Sequence, residues 1–450
     1  MQKNEREDYL LGAISGAAAG CGRMIGVILR IGAGRGRMIA VIVVLCLAVQ
    51  RGGAQAQAAG VSRGVAQSQS AVPLVFVARG EDLVRTRARL RAGDTTLAAA
   101  YAALLDDAHQ ALAVPPQSVM QKKRVPVSGD KHDYMSFAPY SWPDSTKPGG
   151  LPYINRDGQV NPESRVDSDR QPFGRMSDAV ETLALAYFLS DDEAYAQHAT
   201  LLLRTWFLDS ATKMNPNLKY GQAIPGVTVG RGIGLIDTRS LAQIVDAVGL
   251  LRRSPSWTRT DDAGMRAWSR DFLNWMRTSP LGHDEETRKN NHGTWYDVQS
   301  AALALFAGDT AEARASVLRG RDRIEKQILP DGREPEELAR TRSLSYSVFN
   351  VDAYTRLAEL ARFVGVDLWH YRSPTGGSLR AALLYLAPYA DEGAKWPGQQ
   401  ITPVEPREFL GSLRRAGGPL ADSTLRAAIG RVAPGIRSSD RSRLFYPDAP

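Results

Sequence analysis

Cysteine is almost missing from this chain. Of 450 residues only 2 are Cys, Cys21 and Cys46, and both lie near the N-terminus. That excludes a disulfide framework and a Cys-rich zinc module. Histidine is scarce too, at 6. No H-E-x-x-H or comparable spacing occurs, so His283, Asp284 and His292 make a poor metal set, and no cofactor is expected. No apolar run approaches the roughly 20 residues of a membrane-spanning helix. No Lys/Arg-rich run marks a nucleic-acid surface. There is no G-x-S-x-G elbow. No sequence repeat of about 34 to 47 residues supports an open solenoid. The stretch Gly230-Arg231-Gly232-Ile233-Gly234 lacks the βαβ surroundings of a dinucleotide site.

What is present is ordinary globular composition, with 43% hydrophobic, 8% aromatic and 23% charged residues. Collagen, coiled coil and wholesale disorder are excluded. Residues 38–49 form an unbroken apolar run of 12, preceded by Arg30, Arg35 and Arg37 and followed by Ala54-Gln55-Ala56. A basic n-region, a short apolar h-region and an A-x-A site predict a secretory signal peptide over residues 1–56. A membrane anchor is the alternative. Glu5, Glu7 and Asp8 are unusual in a leader, and Met24 and Met38 are alternative starts. Cleavage after Ala56 leaves 450 − 56 = 394 residues. The leader carries seven Lys/Arg and three Asp/Glu, so the net charge falls to 8 − 4 = +4. Both cysteines leave with it. The expected location is periplasmic or secreted, where an unpaired thiol is a liability, with no stable membrane association after cleavage.

Residues 57–75 read as a flexible lead-in rich in Ala, Gln, Ser and Gly. A helical pattern runs over 81–112. Residues 124–170 are rich in Pro, Gly and aromatics, and long loops of this kind are usually functional. Helices dominate beyond it. Val180, Leu183 and Tyr187 recur at helical spacing, and Ser190 with Glu193 predicts a capping box. Further helices are expected over 240–251, 261–276, 295–305 with a stop at Gly308, 311–328, 349–364 and 378–386. Helix pairs joined by short loops predict an all-α fold, here an incomplete α/α toroid over 76–415 whose loops line a groove. Residues 416–450 read as a peripheral C-terminal segment.

Three clusters could carry chemistry. In Lys289-Asn290-Asn291-His292-Gly293-Thr294-Trp295-Tyr296, polar residues collect just before an amphipathic helix. A helix N-terminus disfavours imidazolium, and a neutral His can accept a proton. Asn291 adds an amide donor. The alternative is an N-cap cluster with a structural His. In the second cluster, from Glu336 to Tyr346, an Arg can hold a carboxylate in bidentate fashion. A Tyr beside a cation has its phenolate favoured. The alternative is a salt-bridged helix with Arg340 or Arg342 paired to Glu336 or Glu337. The third cluster holds His132, Asp133, Tyr134, Tyr140, Trp142 and Asp144 and continues to Tyr153 and Asn161-Pro162-Glu163. Its aromatic faces suit sugar rings. The alternative is a loop pinned to the core by those rings.

Together these clusters resemble the alginate lyase superfamily of secreted α/α-toroid polysaccharide lyases. The Asn291-His292 and Arg340…Tyr346 elements look like that family's catalytic pairs. The 132–142 and Asn161-Pro162-Glu163 stretches resemble polysaccharide lyase family thirty-eight, whose members act on alginate or glucuronan, more than the mannuronate lyases of family five. The similarity runs over about 131–400. In the family-five pattern the Arg and Tyr stand seven apart with a second Arg between; here the spacing is six. Arg340 is the choice, with Arg342 the alternative.

The resemblance implies β-elimination on an anionic uronate polymer without a cofactor. Asn291 and Arg340 would neutralise the substrate carboxylate as charge builds up beside it. Tyr346 would move the proton, and His292 would act as base or hold the tyrosine and substrate. In mannuronate and glucuronate H5 and O4 leave from the same side, so one residue can serve both steps. In guluronate they leave from opposite sides, which suits separate His and Tyr roles. His132, Tyr134, Tyr140, Trp142, Arg342 and Trp396 are the candidate substrate-binding residues. Two rivals remain: a glycoside hydrolase on the same toroid, with carboxylates drawn from Asp133, Asp144, Glu336 and Glu337, and a non-catalytic periplasmic polysaccharide-binding protein.

Overall fold

The computed structural model describes residues 72–391 and 393–449. The signal peptide expected over residues 1–56, both cysteines and most of the expected 57–75 lead-in lie outside the described residues. Helices follow in the order α1 (Gly80–Arg91), α2 (Ala98–Ala111), α3 (Arg170–Ser190), α4 (Glu193–Leu203), α5 (Leu241–Leu251), α6 (Arg259–Thr278), α7 (Pro280–Glu286), α8 (Asn291–Ala307), α9 (Thr310–Gln327), α10 (Pro335–Leu338), α11 (Ser343–Ala361), α12 (Leu379–Leu386), α13 (Arg407–Leu420), α14 (Ser423–Arg431), α15 (Pro434–Ser439) and α16 (Ser442–Phe445). Four short strands, β1 (Met135–Phe137), β2 (Ser141–Trp142), β3 (Ile154–Asn155) and β4 (Tyr220–Ala223), interrupt them.

The helices form two layers, as the α/α toroid requires. The inner series is α3, α5, α8 and α11, each packed on the next. The outer layer backs it, with α4 on α3, and α6 and α9 on α8. Sequence explains the division. A helix that is apolar all round must be buried, whereas an amphipathic one can face water. In α5 every residue but Gln243 is buried. In α8 every residue but His292 and Ala307 is buried. The outer α6 instead buries one stripe, Met265, Trp268, Phe272 and Met276. Its start is fixed by a capping box between Thr258 and Asp261. Gly308 ends α8 at φ 89°, a conformation open to glycine.

Several boundaries differ from the sequence expectation. The 81–112 pattern is two helices, broken at Gly93 (φ 79°) and restarted after Asp94, whose side chain accepts from Thr96 N. Ser190 does not cap α4. It belongs to α3 and donates back to Ala186 O, while Asp192 caps α4 by accepting from Ala194 N. The stretch after 416 is not a peripheral appendage. Leu425, Ala428, Ile429 and Leu444 are fully buried. Thr86 of α1 donates to Leu444 O at 2.8 Å, joining the last helix to the first. Val75 and Phe76 are also buried, and the Asp246 carboxylate accepts from the backbone N–H groups of Phe76, Val77 and Ala78.

The long 124–170 loop is ordered by two small sheets. β1 pairs in parallel with β4. β2 pairs antiparallel with β3, Ser141 opposite Asn155 and Trp142 opposite Ile154. This carries Tyr140 and Asp157 to the end of the inner helices where α8 and α11 begin. The Gly-rich 230–234 stretch has a packing role there. A Cβ on Gly234 would come within 2.6 Å of the Gly221 backbone, so only glycine lets this segment lie on β4. Among the described residues, no helix is long and apolar enough to cross a membrane.

Candidate active site

A cleft of about 900 Å³ opens at the N-terminal ends of α8 and α11. Asn291, His292, Arg340, Tyr346 and Tyr140 all line it. In the first turn of α8, Asn291 is buried in the cleft wall, and His292 beside it is partly exposed to the cleft. Its Nδ1 lies 2.7 Å from Glu285 Oε1. An ionised Glu285 takes the Nδ1–H and leaves the Nε2 lone pair free, the tautomer a general base needs. Burial pushes the Glu285 carboxyl up, and His292 opposes that.

Asn291 is held from behind. Its backbone N–H donates to Glu337 Oε1 at 2.6 Å and its Nδ2 to Glu337 Oε2 at 2.8 Å. One amide hydrogen remains for a ligand. Burial pushes Glu337 up to about 7, against the pull of the Asn291 donors, Arg340 and His292.

Arg340 does not pair with Glu336 or Glu337. Its Nε and Nη2 donate to Asp157 Oδ1 at 3.1 and 2.5 Å. Thr341 N and Oγ1 also donate to Asp157 Oδ2. Burial alone would raise Asp157, but these donors hold it down at about 2. Gly158 (φ 72°) permits the close approach, because a Cβ there would meet Thr341 Oγ1 at 2.4 Å. The guanidinium carbon of Arg340 sits 3.9 Å from the centre of the Tyr346 ring. The Tyr346 and Tyr140 hydroxyls are 2.7 Å apart. The sequence expectation of a favoured Tyr346 phenolate is not met. Burial and then Tyr140 push its pKa up, and Arg340 only partly offsets them.

The other expected binding residues lie off this wall. Tyr134 is fully buried and donates to Asp237 Oδ2 at 3.2 Å, so it supports the floor rather than touching a ligand. His132 Nδ1–H donates to Lys213 O at 2.6 Å. Trp142 Nε1–H donates to Gln159 O at 2.9 Å, with Arg156 over its ring. Trp396 Nε1–H donates to Ser343 Oγ at 2.7 Å and packs edge-on against Tyr385 and Tyr389. Arg342 is the residue before α11, bridged to Gln400, with its Nε buried and unpartnered. Of the carboxylates a hydrolase could use, Asp133 is buried among Ser128, Asn215 and Asn217, and Glu337 is bound to Asn291. Asp144 caps an exposed turn at Thr146. Glu336 alone of the four lines the cleft. Among the described residues no group of three or more His, Cys, Asp and Glu is placed to hold a metal ion.

Sequence reasoning missed Glu285, Asp157 and the cleft arginines Arg170, Arg231, Arg239 and Arg288. Glu285 stands seven residues before His292 across a short turn, a weak signal. Asp157 stands 183 residues from Arg340 in sequence, and nothing local announces their pairing.

An α/α toroid with a cationic cleft built around Asn-His and Arg-Tyr pairs defines a class of polysaccharide-degrading proteins. Comparison with known families narrows it. Residues 118–396 match the model of the alginate lyase family, well over half the chain. The chain belongs to that family and is a polysaccharide lyase. It is similar to a crystal structure of an alginate lyase from Bacteroides ovatus, with 41% identity over 83% of this chain and 99% of that one, at a TM-score of 0.79. It shares the fold of alginate lyase A1-III from Sphingomonas species A1, with 16% identity, 84% and 96% coverage and a TM-score of 0.53. A variant of A1-III complexed with a tetrasaccharide matches at 17% identity, 84% and 97% coverage and a TM-score of 0.52. No curated protein matches the chain.

Proposed function

We propose that this lyase cleaves a polyuronate of the mannuronate type, alginate or polymannuronate, by β-elimination in the 900 Å³ cleft. Glucuronan is the second substrate, because glucuronate differs from mannuronate only at C2. The observation that carries this reading is the Arg340–Tyr346–Tyr140 stack facing the same cleft as the Glu285-held His292. The similarity to the Bacteroides ovatus alginate lyase supports it further.

The chemistry follows from the residues. Asn291 and the uncommitted Nη1 of Arg340 neutralise the substrate carboxylate, which acidifies the proton at C5. A base takes that proton, the electron pair forms the C4–C5 double bond, and the C4–O4 bond breaks. Tyr346 delivers a proton to the departing O4. On mannuronate, His292 Nε2 first takes the Tyr346 hydroxyl proton, and the resulting phenolate takes H5 and returns that proton to O4. Tyr140 donates to the phenolate oxygen, and Arg340 over the ring stabilises its charge. On guluronate, His292 Nε2 takes H5 from the opposite side and Tyr346 again serves O4.

The leader reading belongs to the same proposal. The apolar run at 38–49 with Ala54-Gln55-Ala56 marks an exported enzyme, which suits a polymeric substrate outside the cell. Edman sequencing of secreted protein should begin near Gln57; a secreted chain still carrying Cys46 overturns export by cleavage. Activity is tested on polymannuronate, polyguluronate, glucuronan and hyaluronan, following the ultraviolet absorbance of the unsaturated uronate. Absorbance should rise on polymannuronate. New reducing ends without absorbance would mean hydrolysis, and binding without either would mean a polysaccharide-binding protein.

A further inference from the structure

The peptide unit between Asn290 and Asn291 is gripped at both ends. Its C=O accepts from Gln327 Nε2 at 3.3 Å, and its N–H donates to Glu337 Oε1 at 2.6 Å. The Asn291 side chain hangs from this unit, so the unit's orientation sets the aim of the amide. Gln327 is the last residue of α9 and is buried. Its Oε1 accepts from Thr294 Oγ1 at 3.0 Å, from Asn350 Nδ2 at 3.1 Å and from the Tyr354 hydroxyl at 2.9 Å. With Oε1 turned to those three donors, Nε2 is left facing Asn290.

Behind this network lies Glu334, a buried carboxyl that no step of the elimination uses. Asn350 Nδ2 donates to Glu334 Oε1 at 2.7 Å. Glu334 Oε2 and Asn350 Oδ1 are both buried, and neither receives a hydrogen bond. The network has no donor to spare for them. Both amide hydrogens of Asn350 are placed, on Glu334 and Gln327, and the Thr294 and Tyr354 hydroxyls are committed to Gln327. Buried acceptors left bare are costly. One proton on Oε2, donated to Asn350 Oδ1, supplies what the carboxyl–amide pair lacks. The neighbouring charge agrees. Glu337 has both Asn291 donors, Arg340 and His292 to hold a negative charge, whereas Glu334 has only Asn350. Two buried carboxyls this close do not both ionise cheaply. Burial, and then the Glu337 charge, push Glu334 well above the ordinary carboxylate range. Tyr354, the other titratable group beside it, is pushed up by burial and by Glu334.

We propose that Glu334 is a positioning residue for the lyase reaction: as a neutral carboxylic acid paired with the Asn350 amide, it locks Gln327 and through it the Asn290–Asn291 peptide unit, and so aims the Asn291 amide at the substrate carboxylate. This rests on the role given to Asn291 in the elimination. The two buried glutamates then divide the work. Glu337 holds Asn291 directly as an acceptor, and Glu334 acts through Asn350 and Gln327 as a donor.

The test uses the full chain on whichever polyuronate the wild type cleaves, with kcat and KM read from the unsaturated product. Glu334→Gln stays neutral and can both accept from and donate to Asn350, so kcat should stay within about twofold of wild type at about pH 7. Glu334→Leu can do neither, and its kcat should fall about tenfold or more with KM changed far less. Asn291→Ala lowers kcat by itself. Adding Glu334→Leu to it should cost less than about twofold more, because the residue being aimed is gone. The infrared difference between wild type and Glu334→Gln at about pH 8, where an ordinary glutamate is ionised, should show the C=O stretch of a protonated carboxyl. Circular dichroism confirms that each variant is folded, and Glu334→Asp replaces the Leu variant in the cycle should that one not fold. A Gln variant as impaired as the Leu variant, or a carboxylate band in the difference spectrum, overturns the neutral acid. Losses that multiply in the double variant, or an effect confined to KM, overturn the positioning of Asn291. Full kcat in Asn291→Ala, or no unsaturated product from any polyuronate, instead overturns the lyase reading of the site, and the infrared band still decides the proton on Glu334.

Discussion

Glu337 ties the stability of the fold to the state of the site. It is 1% exposed, and both oxygens accept from Asn291. Those bonds favour the charged form, yet burial wins and lifts the pKa from 4.5 to about 7. The folded chain therefore holds this proton more tightly than the unfolded chain. Stability from this group is fully present below about pH 4.5 and is lost as pH rises to about 7. A gap of about 2.5 pH units corresponds to about 3 kcal/mol at 1.36 kcal/mol each. Glu337→Gln removes the titration and keeps the shape. Its carbonyl can accept from Asn291 N, and its amide can face Asn291 once that side chain turns over. Urea unfolding of both proteins at about pH 5 and about pH 8 measures the effect. The wild type should lose about 2.5 kcal/mol more than the variant between the two conditions, because the unfolded carboxyl is already mostly ionised at about pH 5. Glu285 and Glu334 are also raised by burial, but they are present in both proteins. If the two pH dependences agree within about 0.5 kcal/mol, Glu337 does not carry the buried charge argued here.

Three further outcomes follow from the same site. Tyr346→Phe removes the proton-bearing oxygen and keeps the ring under Arg340, so kcat should fall far more than tenfold while polymer binding persists; retention of more than about a tenth of kcat, a loss under 1.4 kcal/mol, rules out tyrosine proton transfer. Glu285→Gln frees the His292 tautomer and should lower kcat at least about a hundredfold with KM nearly unchanged; wild-type kcat would make Glu285 a packing residue only. Asp157→Asn should destabilise the fold at neutral pH by up to about 2 kcal/mol, because Asp157 is held at about 2 against an ordinary 3.8. Since a depressed carboxylate contributes above its unfolded pKa, that difference should shrink as pH falls from about 3.8 towards 2 in denaturant titrations, and a constant difference would refute the pairing as its source.

The inner helices were legible because local pattern decides them. Continuous apolar sequence in α5 and α8, a capping box before α6 and a glycine stop at 308 are features of neighbouring residues. His292 was legible for the same reason, as a polar residue opening an apolar helix. The loop was less so. Trp142, Tyr134 and Tyr140 are alike in sequence as aromatics between prolines. Distant contacts separate them: Tyr140 meets the Tyr346 hydroxyl in the cleft, Tyr134 reaches down to Asp237, and Trp142 closes onto Gln159. The C-terminal helices read as peripheral because their apolar residues are sparse. Their burial against α1 and α2 depends on a meeting of the chain's two ends that no local pattern records.

The six-residue spacing between Arg340 and Tyr346 shows where local reasoning misleads. Even if both were helical, residues six apart would point about 120° away from one another, so helical pitch does not bring them together. In fact α11 begins at Ser343, after Arg342, and Arg340 lies in the turn before it. Arg340 reaches the Tyr346 ring because Asp157 and the 156–158 loop clamp it there. Its distance from Tyr346 is thus set by a contact across 183 residues and not by helical pitch. Arg342 stands at true helical spacing from Tyr346, yet it carries the first backbone bond of α11, its carbonyl accepting from Tyr346 N at 3.0 Å. The residue that fits the local rule closes the helix, and the one that breaks it stacks on the tyrosine.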